Sequence, residues 1–266
     1  MFIATLIARP GALDPALADS LRNAWGGGDI LWLSPDEAAE FGLATLPANQ
    51  WEVWESLQAQ GVDLVIQPDG NRRKKMLLAD MDSTMICQEC IDELAAEAGV
   101  GDHVAGITAR AMNGELDFEA ALAERVGLLK DLPVSVIDTV LATRITLMPG
   151  GATLVATMKT QGAYAALVSG GFTAFTARVA ADLGFDENRA NTLLEGGGKL
   201  TGTVALPILG RDAKVAALQE ITARLGIGVE DVIAVGDGAN DLGMLHLAGT
   251  GVALHAKPSV QAECDI

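Results

Sequence analysis

Several things are scarce in this chain, and each shortage excludes something. Only three cysteines, Cys87, Cys90 and Cys264, occur in 266 residues. They are too few for a disulfide scaffold and fit a reducing compartment. Positive charge is short as well: 18 Lys and Arg stand against 35 Asp and Glu, a formal net charge of −17. Nucleic acid and anionic membranes both require clustered cations, so neither is expected as a partner. A small anionic substrate stays compatible, because a metal ion and a few local cations reverse the potential of a pocket. No apolar run reaches about 18 residues, so no membrane span is expected. Residues 1–10 lack a basic segment followed by a long apolar one, so no signal peptide is expected and the cytoplasm is the expected compartment. The histidines His103, His246 and His255 are scattered, with no second His or Cys at metal-ligand spacing.

Half the residues are hydrophobic and 20% are charged, which supports a packed core. The first part reads as strand 2–8, helix 15–24, strand 30–33, helix 50–60 and strand 64–66. Trp51, Trp54 and Leu57 lie at i, i+3 and i+6 and are expected on one core-facing helical side. Residues 67–75 contain Pro, Gly and Asn followed by Arg72-Arg73-Lys74-Lys75, expected to be a solvated linker. This places a small α+β domain at 1–70 and a larger domain at 74–266. In the latter, Met76-Leu77-Leu78-Ala79 reads as a buried strand ending at Asp80. Residues 86–146 carry helical periodicity and no convincing strand. Two further apolar runs follow, 164–168 closed by Ser169-Gly170-Gly171 and 232–235 closed by Gly236-Asp237-Gly238. Helices are read over 173–183 and 213–225. Repeated strand–helix units imply a doubly wound parallel sheet, and function in such sheets lies beyond the carboxyl ends of the strands. All three runs deliver polar residues there.

Asp80-Met81-Asp82-Ser83-Thr84 is the strongest chemical signal. One carboxylate can attack while the other supplies and withdraws a proton, provided their environments differ; taken alone the pair also reads as an acidic turn. In Gly236-Asp237-Gly238-Ala239-Asn240-Asp241, Asp237 and Asp241 offer oxygen ligands for a hard cation, although Asp241 also reads as a helix cap. A split carboxylate set from Asp80 and Asp237 suits Mg²⁺, which keeps waters and phosphate oxygens. Ser169-Gly170-Gly171 supplies a hydroxyl and amides at a strand-to-helix junction, either a phosphate cradle or a simple turn. Lys214 falls near a helix start, where the dipole disfavours a merely superficial lysine.

These four segments, in this order, resemble the haloacid dehalogenase superfamily over residues 76 to about 260. Within it, Asp80-Met81-Asp82-Ser83-Thr84-Met85-Ile86, Glu89-Cys90-Ile91-Asp92-Glu93-Leu94-Ala95, and Ile107 through Phe118 with Arg125 are similar to the phosphoserine phosphatase family. The resemblance implies an α/β fold, a doubly wound Rossmann-like parallel sheet with a helical cap inserted at about 86–146. It implies a Mg²⁺-dependent phosphatase acting on O-phospho-L-serine through an aspartyl-phosphate, the last step of serine biosynthesis. Asp80 would be the nucleophile and Asp82 the general acid/base. Mg²⁺ would be held by Asp80, the Asp82 carbonyl and Asp237, with Asp241 and Asn240 orienting or completing the shell. Ser169, Gly170 and Lys214 would bind the phosphoryl oxygens, with Asn240 also counted among the substrate-binding residues. Glu89, Met112, Phe118 and Arg125 would surround the serine part. Family members normally continue beyond the point where this chain stops, so a trimmed C-terminus is expected. The first 70 residues resemble, loosely, a small ACT-like regulatory domain, of which half a ferredoxin-like pattern is visible.

Two other readings carry weight. One is a relative acting on another small phosphate ester such as phosphohomoserine. The other, of a different class, is an aspartate-phosphorylated regulatory module; against it stands Asp82, since a stable aspartyl-phosphate needs no acid/base beside it. A homo-oligomer is left open. Cys87-x-x-Cys90 has redox spacing but lacks a thioredoxin-like context, so packing near the site is expected. Glu195-Gly196-Gly197-Gly198-Lys199 lacks the phosphate-loop form and is expected to be a loop between two short strands.

Overall fold

The computed structural model describes residues 1–112, 115–264 and 266, the side chains of 111 and 112 excepted. The chain divides into two compact units, Met1–Arg73 with Ile266 and Lys74–Asp265.

The first unit runs β1 (Phe2–Ala8), α1 (Pro15–Ala24), β2 (Leu31–Ser34), β3 (Ala38–Leu43), α2 (Gln50–Gln58) and β4 (Val62–Pro68). Its antiparallel sheet has the order β2-β3-β1-β4, a complete ferredoxin-like βαββαβ unit where the sequence suggests half of one. The strand missing from the sequence reading is β3. Its residues Ala38-Ala39-Glu40-Phe41-Gly42-Leu43 are mostly poor strand formers, and pairing with β1 and β2 on both sides makes them a strand. α1 opens in the ordinary way, Asp14 accepting from the Ala16 amide at 2.8 Å with Pro15 in the first turn.

The expected core face of α2 is corrected. Leu57 is buried and Trp54 partly so, but Trp51 is 50% exposed. Six residues advance a helix by about 600°, which leaves Trp51 roughly 120° away from Leu57. The basic run is also more engaged than a solvated linker. Arg72 pairs with Glu40, Lys74 Nζ donates to the Glu230 carbonyl at 2.8 Å, and Lys75 Nζ meets Asp231 Oδ2 at 2.9 Å.

The second unit runs β5 (Met76–Ala79), α3 (Cys90–Glu97), α4 (Gly101–Met112), α5 (Phe118–Gly127), α6 (Ser135–Thr143), α7 (Gly151–Thr160), β6 (Tyr164–Phe172), α8 (Thr173–Leu183) and β7 (Glu187–Asn191). It continues through β8 (Leu193–Gly196), β9 (Lys199–Val204), α9 (Arg211–Leu225), β10 (Val232–Gly236), α10 (Leu242–Leu247), β11 (Thr250–Ala253) and α11 (Pro258–Gln261). Five parallel strands in the order β11-β10-β5-β6-β7 form its central sheet. β5 is buried along its whole length, and its side chains alternate between two cores. Leu77 and Ala79 join Leu167 and Val235 on one face, while Met76 and Leu78 join Ala166 and Ala234 on the other. Burial on both faces is why these strands read as continuous apolar runs. Strand order reverses about β5, which puts a crevice at its carboxyl end.

Helices α3–α6 are an insertion between β5 and β6. Its two connections pair antiparallel at Ile86 and Leu147, with Cys87 N donating to Thr146 O at 3.0 Å and Met148 N to Met85 O at 2.9 Å. The Gly-rich stretch at 195–199 is the turn of the β8–β9 hairpin. Gly197 and Gly198 both have positive φ, 62° and 77°, the backbone that tight hairpin turns demand. Among the described residues no helix is long and apolar enough to cross a membrane.

Candidate active site

Register decides which residues meet. Ala79 at the end of β5 stands level with Val235 of β10 and Leu167 of β6. Asp80, Asp237 and Ser169, one or two residues further along each strand, therefore emerge at one edge. Asp80 is buried; its Oδ1 accepts from the Met81 amide at 2.7 Å and its Oδ2 lies 2.6 Å from Lys214 Nζ. Lys214, 2% exposed, also meets Asp241 Oδ1 at 2.5 Å. Burial works against its charge, but Asp80 and Asp241 outweigh that and raise its pKa. The other oxygen of Asp241 accepts from the amides of Asp237 at 3.2 Å and Gly238 at 3.1 Å. Asp241 thus anchors the ammonium and the Asp237 loop together, and its side chain makes no capping bond to α10.

Carboxylate oxygens of Asp80, Asp237 and Asp241 lie within 4.8 Å of one another. One ammonium does not neutralise three carboxylates. Burial, then the charges of Asp80 and Asp241, push the Asp237 carboxyl up to about 7, and burial pushes Asp241 up to about 6. An all-oxygen donor set with surplus negative charge fits a hard divalent cation such as Mg²⁺.

Asp82 lies in a different environment. It is met by the Cys90 amide at 3.4 Å, and burial followed by the charge of Glu89 pushes its carboxyl up to about 8. This environment favours the protonated carboxyl, two residues from a carboxylate paired with an ammonium. The Cys90 thiol is itself raised by burial and by Asp82, so it packs beside the site as a neutral group. Across the site stands Gly171, where a Cβ would lie 2.8 Å from Asp82 Oδ2. A side chain there would displace the Asp82 carboxylate. The Gly171 amide donates to Ser169 Oγ at 2.9 Å.

The inserted helices bring three more of the expected residues. Glu89 occupies the N-cap position of α3 but makes no capping bond. Its carboxylate instead accepts from the Ser83 hydroxyl at 2.7 Å, and burial raises its pKa although part of its surface remains open. Arg125 on α5 is half-buried, its Nε donating to Ala121 O at 3.2 Å. Burial lowers its pKa against the opposing charges of Asp92, Glu89 and Asp82. Phe118, the first residue of α5, lies over the end of β6 and the start of α9 at once; a Cβ on Gly170 or Gly210 would meet its ring at 3.1 Å or 3.2 Å. Asn240 lies in the loop between Gly238 and Asp241, half-buried. The Met112 side chain lies outside the described residues.

Sequence reasoning passed over Asn191 at the end of β7. It is buried, and its side chain makes three hydrogen bonds, to Gly170 near the end of β6 and to Leu209 just before α9. A lone Asn after a short strand reads as a turn residue, so no local signal marks it. Asp92, the strongest charge facing Arg125, was likewise not singled out.

Residues 77–246 match the family model of haloacid dehalogenase-like hydrolases. The chain belongs to that family. This hydrolase is 46% identical over 207 residues to a protein of Archaeoglobus fulgidus named phosphoserine phosphatase, covering 77% of this chain and 60% of that one. It thus spans less than two thirds of that relative's length. With the phosphoserine phosphatase of Methanocaldococcus jannaschii it shares 43% identity over 195 residues, 73% of this chain and 92% of the other. A crystal structure of a haloacid dehalogenase family hydrolase from Salmonella enterica serovar Typhi superimposes with a TM-score of 0.89 at 34% identity, covering 99% of this chain and 92% of that one.

Proposed function

We propose that this hydrolase is a Mg²⁺-dependent phosphatase that releases phosphate from O-phospho-L-serine through an aspartyl-phosphate on Asp80. The observation that carries the reading is the unequal pair at the end of β5: Asp80 is held 2.6 Å from the Lys214 ammonium, while Asp82 is pushed up to about 8. Asp80 attacks phosphorus as the bond to the serine oxygen breaks, and Asp82 gives that oxygen its proton. Water then attacks the phosphorus of the aspartyl-phosphate and passes its proton to Asp82, restoring both carboxyls. Asp80, Asp237 and the Asp82 carbonyl would hold Mg²⁺, with Asp241 and Asn240 beside it, and the ion supplies neutralisation of phosphoryl charge. Lys214, the Ser169 hydroxyl and the amides around Gly170 neutralise the remaining oxygens.

The amino-acid part of the substrate carries an ammonium and a carboxylate on one carbon. Glu89 and Arg125, with Phe118 beside them, offer one partner to each charge. The names of the archaeal relatives support this choice of substrate, and the chemistry would complete serine biosynthesis in the cytoplasm. Phosphate release from O-phospho-L-serine, measured with Mg²⁺ and with EDTA, tests the reading. Release is expected only with the metal, and Asp80→Asn should abolish both turnover and phosphoenzyme. Near-normal activity of that variant at saturating Mg²⁺ would overturn the covalent mechanism. A preference for phosphohomoserine over phosphoserine would overturn the substrate.

A further inference from the structure

We infer that Asn191 is a positioning residue that sets the two walls of the phosphoryl site against each other; the inference rests on the phosphatase reading above. Asn191 is 2% exposed. Its Nδ2 donates to Gly170 O at 2.9 Å and to Leu209 O at 3.1 Å, and its Oδ1 accepts from Leu209 N at 2.7 Å. Both amide hydrogens are used. The double contact with Leu209 imitates an antiparallel backbone pair. It closes the excursion from 191 to 209 that contains the β8–β9 hairpin.

On one side, Leu209 leads through Gly210 directly into α9, which carries Lys214. On the other, Gly170 O belongs to the same planar peptide as the Gly171 N–H, and the two point in opposite directions. Holding that carbonyl therefore aims the Gly171 N–H, which donates to Ser169 Oγ at 2.9 Å. Two consecutive glycines do not fix this peptide by themselves, because they lack side chains and range widely in φ. The buried amide of Asn191 supplies the missing constraint, and it does so from the point where the approach to Lys214 is also held.

The test uses the full chain and Asn191→Asp, which keeps the shape but replaces both N–H donors by an oxygen facing two carbonyls. Asn191→Ser, uncharged, is the second variant. Thr176→Val is the control, because buried Thr176 donates to Asn188 Oδ1 at 2.9 Å, on the strand that bears Asn191, and bonds neither Gly170 nor Leu209. Binding of inorganic phosphate with Mg²⁺ is measured by calorimetry, and kcat with phosphoserine and phosphoethanolamine. For both Asn191 variants phosphate Kd should rise about 10-fold and kcat should fall roughly 10²-fold, the scale of a small misplacement of catalytic groups. The ratio of kcat/KM for the two substrates should stay within about twofold of the wild type, since the inserted helices set it. Thr176→Val should lower Tm without moving phosphate affinity. The inference is overturned if a folded Asn191 variant binds phosphate and turns over like Thr176→Val. It is also overturned if neither variant folds, because Asn191 would then serve the fold and not the site. Should the wild type bind phosphate in this Asn191-dependent way yet spare phosphoserine, the substrate assignment fails and the positioning role stands.

Discussion

Lys214 shows how strongly a single residue can be constrained. Its ammonium is buried between Asp80 and Asp241, and removing one partner of such a group leaves charge without compensation. Lys214→Met should destabilise the metal-free protein by about 3–5 kcal/mol, read from urea unfolding at pH 7 in EDTA. A loss under about 1 kcal/mol would mean that the carboxylates find another partner. Asp82 allows a sharper test, because one proton is assigned to it. Asp82→Asn should slow phosphoserine hydrolysis about 10²–10⁴-fold. An aryl phosphate has a good leaving group and should still form the phosphoenzyme, giving a burst of phenol and then a slow phase. Equal slowing of both esters in a single turnover would remove Asp82 from the leaving-group step.

At the scale of elements, the proposed function gives the inserted helices the choice of what enters. α3 brings Glu89 and α5 brings Phe118 and Arg125 to the edge of a sheet that contains none of them. A hydrogen-bonded carboxylate–guanidinium contact contributes about 1.5–3 kcal/mol. Arg125→Ala should accordingly lower kcat/KM for phosphoserine roughly 10–150-fold and leave phosphoethanolamine, which lacks the carboxylate, nearly unchanged. Equal losses on both substrates would assign Arg125 to the fold of α5. Elements also differ in how legible they are. β5, β6 and β10 stand out because burial on both faces writes them as apolar runs. β3 does not, since its small residues become a strand only through β1 and β2. Helix α2 is legible as a helix, yet the six-residue step from Trp51 to Leu57 turns Trp51 roughly 120° away from the core.

For the whole molecule the decisive quantity is proton linkage. Asp82, Asp237 and Asp241 are raised to about 8, 7 and 6, so the metal-free folded state retains protons that the unfolded chain has released above about pH 4. The folded state binds more protons throughout that window, and its stability falls as pH rises. In EDTA, Tm should decline from pH 5 to pH 8. Mg²⁺ should offset the decline increasingly toward pH 8, because cation and proton compete for Asp237. A flat profile in EDTA, or an equal effect of Mg²⁺ at pH 5 and pH 8, would contradict the charge arrangement described.

By itself the sequence determined the alternation of strands and helices, the carboxylates leaving β5, and the inserted helical segment. These are written locally, in apolar runs, glycines and turn residues a few positions apart. The sequence also carried a resemblance specific enough to name each expected site residue. Only the tertiary structure decided that Lys214 lies between Asp80 and Asp241, that Asp82 is raised while its neighbour two residues away is ion-paired, and that Asn191 reaches Gly170 and Leu209 at once. Each of those depends on groups far apart in the chain. A pKa is set by burial and by charges within a few ångströms, and a buried amide by the backbone groups that fold around it; neither is encoded at the residue's own position.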